Sequence, residues 1–249
     1  MTHTADLPKP LGFPNCSRCP YVLTGTPEVC ALCASKTIRP LAEQHCALCG
    51  QNLRTAGAAC WNIICGWTPE QRFFTRVDAV ALFAHPLEAV IKRFKYDDGN
   101  AGWGTIFGRL IVGWLNAHAD EVPDIDLIIG NPSAPDRTPI QHIETIMSAA
   151  YKEDSLGRWP IADPSTPVLI KTRETKKSAS GGVRWTEKME AAKDHAAALK
   201  LHVPVQGKRI LLVDDVFTTG ATFHTVGKRL MQEAGALEVR GLVLARVPG

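Results

Sequence analysis

Two adjacent carboxylates followed by a run of small hydroxyl residues form the most chemically pointed stretch of this 249-residue chain: Lys208 to Phe223, KRILLVDDVFTTGATF. Asp214 and Asp215 can each accept a hydrogen bond from a hydroxyl donor. Phe217-Thr218-Thr219-Gly220-Ala221-Thr222 offers Thr hydroxyls and, where a helix opens, backbone N–H groups and the positive end of the helix dipole. Gly220 keeps a Cβ out of the closest approach. Hydroxyl acceptors beside a phosphate cradle suit a phosphorylated sugar. A Walker B strand also ends in acids, but no GxxxxGK(S/T) occurs anywhere in the chain. Capping of a helix is the plainer alternative; it needs one acid and no TTGAT.

The second reactive set is sulfur. Eight cysteines fall within the first 65 residues, as Cys16/Cys19, Cys30/Cys33, Cys46/Cys49 and the looser Cys60/Cys65. Repeated CxxC knuckles supply the soft tetrahedral ligands of Zn²⁺, and a reducing compartment disfavours a disulfide set. Sequential pairing gives one site from Cys16, Cys19, Cys30 and Cys33 and another from Cys46, Cys49, Cys60 and Cys65. Crossed pairing stays open, although local loops close at lower entropic cost. His45 is an alternative ligand, but with eight thiols at hand an ordinary surface histidine is the expectation. Trp61 and Trp67 are expected to cover the second site or to dock this module on the remainder.

These groups need elements to hold them. Residues 1–68 are rich in turn formers and lack a long periodic segment, so metal binding should supply the folding free energy they lack. Residues 69–249 change character. Strands are expected at VDAVALFA, Asp126–Gly130, Val168–Ile170, Arg209–Val213 and Glu238–Val247, the third as the next strand of the sheet. Helices are expected from Pro86, with Leu87, Val90, Ile91 and Phe94 on one face, and over Thr105–His118. Further helices follow through Ile140, Ile143 and Met147, and through Phe223, Val226, Leu230 and Ala234, stopping before Gly235. A loop is expected from Tyr151 to Pro167. Strands alternating with helices predict a parallel, doubly wound α/β sheet, whose ligands bind beyond the C-terminal strand ends. Gly102, Gly104 and Gly108 have the spacing GxGxxxG after an acidic turn, which excludes a dinucleotide loop.

Between the third and fourth strands, Lys171 to Lys188 carries six bases (Lys171, Arg173, Lys176, Lys177, Arg184, Lys188) against Glu174 and Glu187 around a Ser-Ala-Ser-Gly-Gly centre. Such a segment is expected to move and to pair with anions. Trp185 at its end either stacks on an acceptor ring or packs on the body.

KRILLVDDVFTTGAT resembles the signature of type I phosphoribosyltransferases, which bind 5-phosphoribosyl-1-pyrophosphate (PRPP). With the cysteine pairs and VIKRFKYDDG, the whole chain resembles the ComF (GntX-like) family, a double zinc ribbon joined to such a domain. The resemblance implies a type I phosphoribosyltransferase-like parallel sheet flanked by helices, with a double zinc-ribbon module at residues 1–68. It implies that Asp214 and Asp215 meet the ribose hydroxyls and that Thr218 to Thr222 hold the 5-phosphate. Asn131, Ser133 and Arg137 would form the pyrophosphate loop, and Lys171, Arg173, Lys176, Lys177 and Arg184 the flexible hood. Two zinc ions, Mg²⁺ with PRPP, an unknown acceptor, and links to competence proteins or single-stranded DNA are implied as well. Two departures fall where pyrophosphate and acceptor should sit: GNPSAPDRTPIQHI keeps only Arg137 as a base, and EKMEAAKDH replaces the family's RRxN run.

Hydrophobic content of 45%, charged content of 21% and a net charge of +3 are ordinary for a globular chain and too weakly basic to argue for nucleic acid alone. Ile106 to Leu115 is interrupted by Arg109, so no membrane span is expected. MTHTADLPKP has no apolar signal region, and a cytoplasmic location is the expectation.

Overall fold

The run Ile210–Val213 is apolar at every position because both of its faces are covered. In the computed structural model of the protein, residues 38–98, 101–122, 124–175 and 184–248 are described, with the backbone of the paired strands Thr2–His3 and Val22–Leu23. Four strands form the main sheet: β1 (Val77–Leu82), β2 (Leu127–Gly130), β5 (Arg209–Phe217) and β6 (Glu238–Arg246). Their order is β1-β6-β5-β2, and all neighbours run parallel. A parallel sheet must be covered on both faces, which explains why β5 and β6 read as continuous apolar runs.

Helices α1 (Leu87–Tyr96), α2 (Trp103–Ala117) and α3 (His142–Glu153) pack on one face, burying Phe94, Phe107 and Ile146 against Leu211, Val213 and Leu242. Helix α5 (Ala221–Lys228) covers the other face with Phe223 and Val226 against Ile210, Leu212 and Val243. Helix α4 (Trp185–Ala197) lies beside it, joined by the Thr225 hydroxyl donating to the Ala192 carbonyl at 3.0 Å. The expected parallel sheet flanked by helices is therefore present.

Three local expectations differ. Val168–Ile170 does not join the main sheet: β3 (Leu169–Lys171) pairs antiparallel with β4 (Leu199–Leu201) as a separate ribbon. Three residues are too few to reveal by period whether they cross over or turn back. The expected loop at Tyr151 begins only after Glu153, because Ala150 still packs in the α3 core. The helix after β5 changes at Arg229 to a wider π turn, Arg229–Glu233, and Ala234 is only half-buried.

The glycines excluded as a dinucleotide loop have a packing role. A Cβ on Gly104 would lie 2.5 Å from Thr145, and one on Gly108 would lie 2.6 Å from the Ala150 backbone nitrogen. They let α2 press against α3. Among the described residues no helix is long and apolar enough to cross a membrane.

Candidate functional site

Strand β5 runs on through Phe217, four residues past the end of its neighbour β2, whose register stops at Gly130 opposite Val213. Asp214 and Asp215 are thus inside the strand, beyond the point where the sheet loses its β2 edge. Asn131, the first residue past β2, donates its backbone N–H to the Val213 carbonyl at 2.8 Å. Its side-chain amide donates to Asp214 Oδ2 at 3.0 Å, and its Oδ1 accepts from His195 Nε2 of α4 at 2.7 Å. One buried amide so joins the turn after β2, the acidic strand and α4.

Asp215 points to the opposite face. Its Oδ2 meets Lys95 Nζ of α1 at 2.5 Å and His142 Nε2 of α3 at 3.0 Å. Ser133 completes the set: its hydroxyl bonds His142 Nδ1 at 2.9 Å, accepts from the Ile143 N–H, and its backbone N–H donates to Glu144 at 2.8 Å. Neutral His142 donates from Nε2 and accepts at Nδ1, in keeping with burial holding its pKa down.

The two carboxyls are driven apart. Burial and the adjacent Asp215 charge push Asp214 up to about 7. Burial also opposes ionisation of Asp215, but Lys95 and His142 outweigh it and hold that carboxyl below its ordinary range. Paired carboxyls pushed apart in this way are a mark of candidate functional sites. Asp215 is the more firmly ionised of the two.

Beyond Phe217, Thr218–Gly220 turn into α5. Gly220 has φ +83°, and a Cβ there would lie 2.8 Å from the Phe217 ring and 3.0 Å from Ile64. The turn therefore admits only glycine without movement. Thr218 is exposed, Thr219 and Thr222 are partly exposed, and Ala221 is buried at the helix start.

The basic segment is divided. Lys171 donates to Thr175 at 2.7 Å, Arg173 pairs with Asp194 at 2.6 Å, and Arg184 precedes α4 in an exposed position. Lys176 and Lys177 lie outside the described residues. Arg137 stacks its guanidinium over Tyr96, 5.5 Å from the ring centre. Trp185 packs on the body, edge-on to Trp67 at 6.0 Å, rather than standing ready for a ring ligand.

Cys46, Cys49, Cys60 and Cys65 are brought together, with their four sulfurs within 4.8 Å of one another. A tetrahedral Zn²⁺ with Zn–S bonds of about 2.3 Å needs sulfurs about 3.8 Å apart, and the Cys49–Cys60 separation is 3.8 Å. Hydrogen bonds from Cys49 and Cys65 hold the Cys46 thiol below its ordinary range, whereas burial pushes Cys60 up to about 12. Four thiolates cannot share this space without a cation, so the donor set fits zinc. His45 is not a member: its ring bonds the Ala42 carbonyl at 2.7 Å. Trp67 docks the segment on His224 and Trp185, whereas Trp61 is 63% exposed. Cys16, Cys19, Cys30 and Cys33 lie outside the described residues.

Lys95, His142 and His195 are not in the sequence-derived site set. Lys95 lies inside the quoted VIKRFKYDDG motif, and His142 sits in the stretch that departs from the family pattern. No local pattern in either stretch signals a carboxylate partner more than seventy residues away.

Comparison with known proteins follows the same lines. DNA utilization protein YhgH of Escherichia coli is 25% identical over 234 residues, covering 84% of this chain and 93% of that protein. Competence protein ComFC of Streptococcus pneumoniae is 54% identical over 39 residues, 16% of this chain and 17% of that one. These relatives are consistent with a ComF-like family. Orotate phosphoribosyltransferase of Podospora anserina is 35% identical over 111 residues, 44% of each chain. The chain thus spans less than half the length of the ComFC and orotate phosphoribosyltransferase relatives. No protein-family model matches the chain. These likenesses accompany a parallel sheet flanked by helices and, among the described residues, one cysteine cluster.

Proposed function

We propose that the protein is a PRPP-binding phosphoribosyltransferase of the ComF type, which transfers a phosphoribosyl group with release of pyrophosphate. The observation that carries this reading is that β5 leads directly from the acidic pair into the Thr218–Thr222 turn at the C-terminal end of the parallel sheet. The turn takes the 5-phosphate on backbone N–H groups and Thr hydroxyls. Asp214 accepts from a ribose hydroxyl, and Asp215 holds its place through Lys95 and His142. Their charge lies beside the positive charge that develops at ribose C1, in a pre-organised site. Asn131 and Ser133 shape the pyrophosphate side, and the bases of the 171–184 segment close over the leaving group and exclude water.

Mg²⁺ would be held chiefly by substrate oxygens, and it supplies neutralisation of the pyrophosphate charge. The site fits it: ionisation of Asp214 is resisted by burial and by Asp215, and a nearby cation would relieve that cost. On the same reading residues 1–68 form a double zinc ribbon with two ions, the second held by Cys16, Cys19, Cys30 and Cys33, and residues 69–249 form the transferase unit. A cytoplasmic location accords with it.

The test is PRPP consumption with Mg²⁺ across a panel of nucleobases and amines, reading released pyrophosphate. Release that depends on one acceptor supports transfer. PRPP binding without release under any acceptor favours a second reading, a PRPP-sensing competence adaptor that meets DNA or protein partners through its ribbon. Exposed Trp61 and Ile63, 63% and 53% accessible on the cysteine segment, are the observation behind that alternative.

A further inference from the structure

Arg246, at the end of β6, is 1% exposed, and no carboxylate of the described residues pairs with it. Its Nε donates to the Cys49 carbonyl at 2.8 Å, and its Nη1 donates to the carbonyls of Val247 at 2.7 Å and Phe217 at 3.2 Å. Its Nη2 donates to Gln51 Oε1 and lies 4.0 Å from Cys49 Sγ. A buried guanidinium surrounded only by neutral acceptors is costly, and buried arginines are nearly always paired with charge. Among the described residues, the source of negative charge beside it is the cysteine cluster. Four thiolates around one Zn²⁺ leave a net charge of about −2.

We infer that Arg246 is the counter-charge of the Cys46/Cys49/Cys60/Cys65 metal centre and the strut that fixes the phosphate turn upon it. The connection is continuous. The guanidinium lies over the Phe217 ring, 4.8 Å from its centre. The same ring and Ile64 are the two walls against which Gly220 sits. Ile64 immediately precedes the ligand Cys65 and is fully buried. Metal binding holds Cys49 and Cys65, these hold Arg246 and Ile64, and those two hold Phe217 and the turn. A group that bonds a metal ligand rather than the metal commonly contributes 10–100-fold in metal affinity. Arg246 is thus a positioning residue; its action on the turn rests on the PRPP reading above, while its action on the metal does not.

The test uses the full chain and two substitutions. Zinc affinity is measured by competition with a chromophoric chelator for the wild type, Arg246→Met and Arg246→Lys. The structure predicts at least a ten-fold loss in Arg246→Met and a smaller loss in Arg246→Lys, which keeps the charge. Equal zinc affinity in wild type and Arg246→Met, or the same loss in both variants, overturns the counter-charge. For the strut, wild-type protein is stripped with a zinc-selective chelator and titrated with PRPP and Mg²⁺ in a calorimeter. The expected result is at least a ten-fold loss of PRPP affinity that returns with zinc; unchanged affinity overturns the strut. If zinc-loaded wild type shows no PRPP heat, the PRPP reading and the strut both fall, and the chelator competition alone decides the counter-charge.

Discussion

At the scale of single residues, the acidic pair divides labour between two neighbouring carboxyls. Asp215 is tied to Lys95 and His142, and Asp214 is held by one amide and the Asp215 N–H. The consequences for stability run in opposite directions. The Asp214 carboxyl lies near 7 in the fold against about 3.9 for a free aspartate, so the native state retains its proton over that window. Stability is lost as pH rises through it. Asp214→Asn, which mimics the protonated acid, should gain on wild type as pH rises from about 4 to 8, by about 1–4 kcal/mol over that range in urea denaturation. A variant that gains nothing on wild type over that range would contradict the assignment. Asp215→Asn should destabilise by about 3–5 kcal/mol at pH 7, because Lys95, whose side chain is only 16% exposed, is left without its anion. A loss below about 1 kcal/mol, the range of a surface pair, would mean that Lys95 finds water instead.

At the scale of elements, the turn from β5 into α5 is a backbone device, and its legibility was uneven. The apolar run, the acids and Gly220 are contiguous, so strand, acidic pair and turn are readable in one stretch. Lys95 and His142 come from helices on the other side of β5, and only the fold brings them to Asp215. The ribbon β3/β4 escaped for the same reason, since three-residue strands carry no period and their antiparallel pairing depends on α4 intervening. Gly220→Ala puts a methyl against Phe217 and Ile64 at φ +83°. It should cost about 1–3 kcal/mol in stability, the usual penalty of a strained position, and weaken PRPP binding at least ten-fold. A variant as stable as wild type would show that the turn adapts. The basic segment gives a separate test by trypsin, which cuts at Arg173, Lys176, Lys177 and Arg184. PRPP with Mg²⁺ should slow cleavage there, and ribose 5-phosphate, lacking pyrophosphate, should protect far less. Equal protection by both would remove pyrophosphate as the closing ligand.

At the scale of the whole molecule, the cysteine segment and the sheet share one hydrophobic core: Cys46, Cys49 and Ile64 are buried with Val77, Leu212 and Val243. The backbone joins them too, since Val77 N–H donates to the Leu48 carbonyl at 2.8 Å and Leu82 N–H to Arg39 at 2.8 Å. Pairwise cysteine spacing made the local ligand set readable, but the attachment through Arg246 was not, because an arginine at a strand end carries no mark of its partner. Metal analysis of the purified full chain should give two zinc ions per molecule; one would confine zinc to the Cys46/Cys49/Cys60/Cys65 centre. The central claim, that the acidic pair and turn at the end of β5 form a PRPP site, is tested most directly by calorimetric titration of PRPP with Mg²⁺ into wild type and Asp214→Asn. The variant is predicted to gain stability on wild type towards pH 8, so weaker binding there cannot be ascribed to unfolding. The account predicts binding to wild type and at least a ten-fold loss, about 1.4 kcal/mol or more, in the variant. No PRPP heat with wild type, or equal affinity in the two proteins, would contradict it.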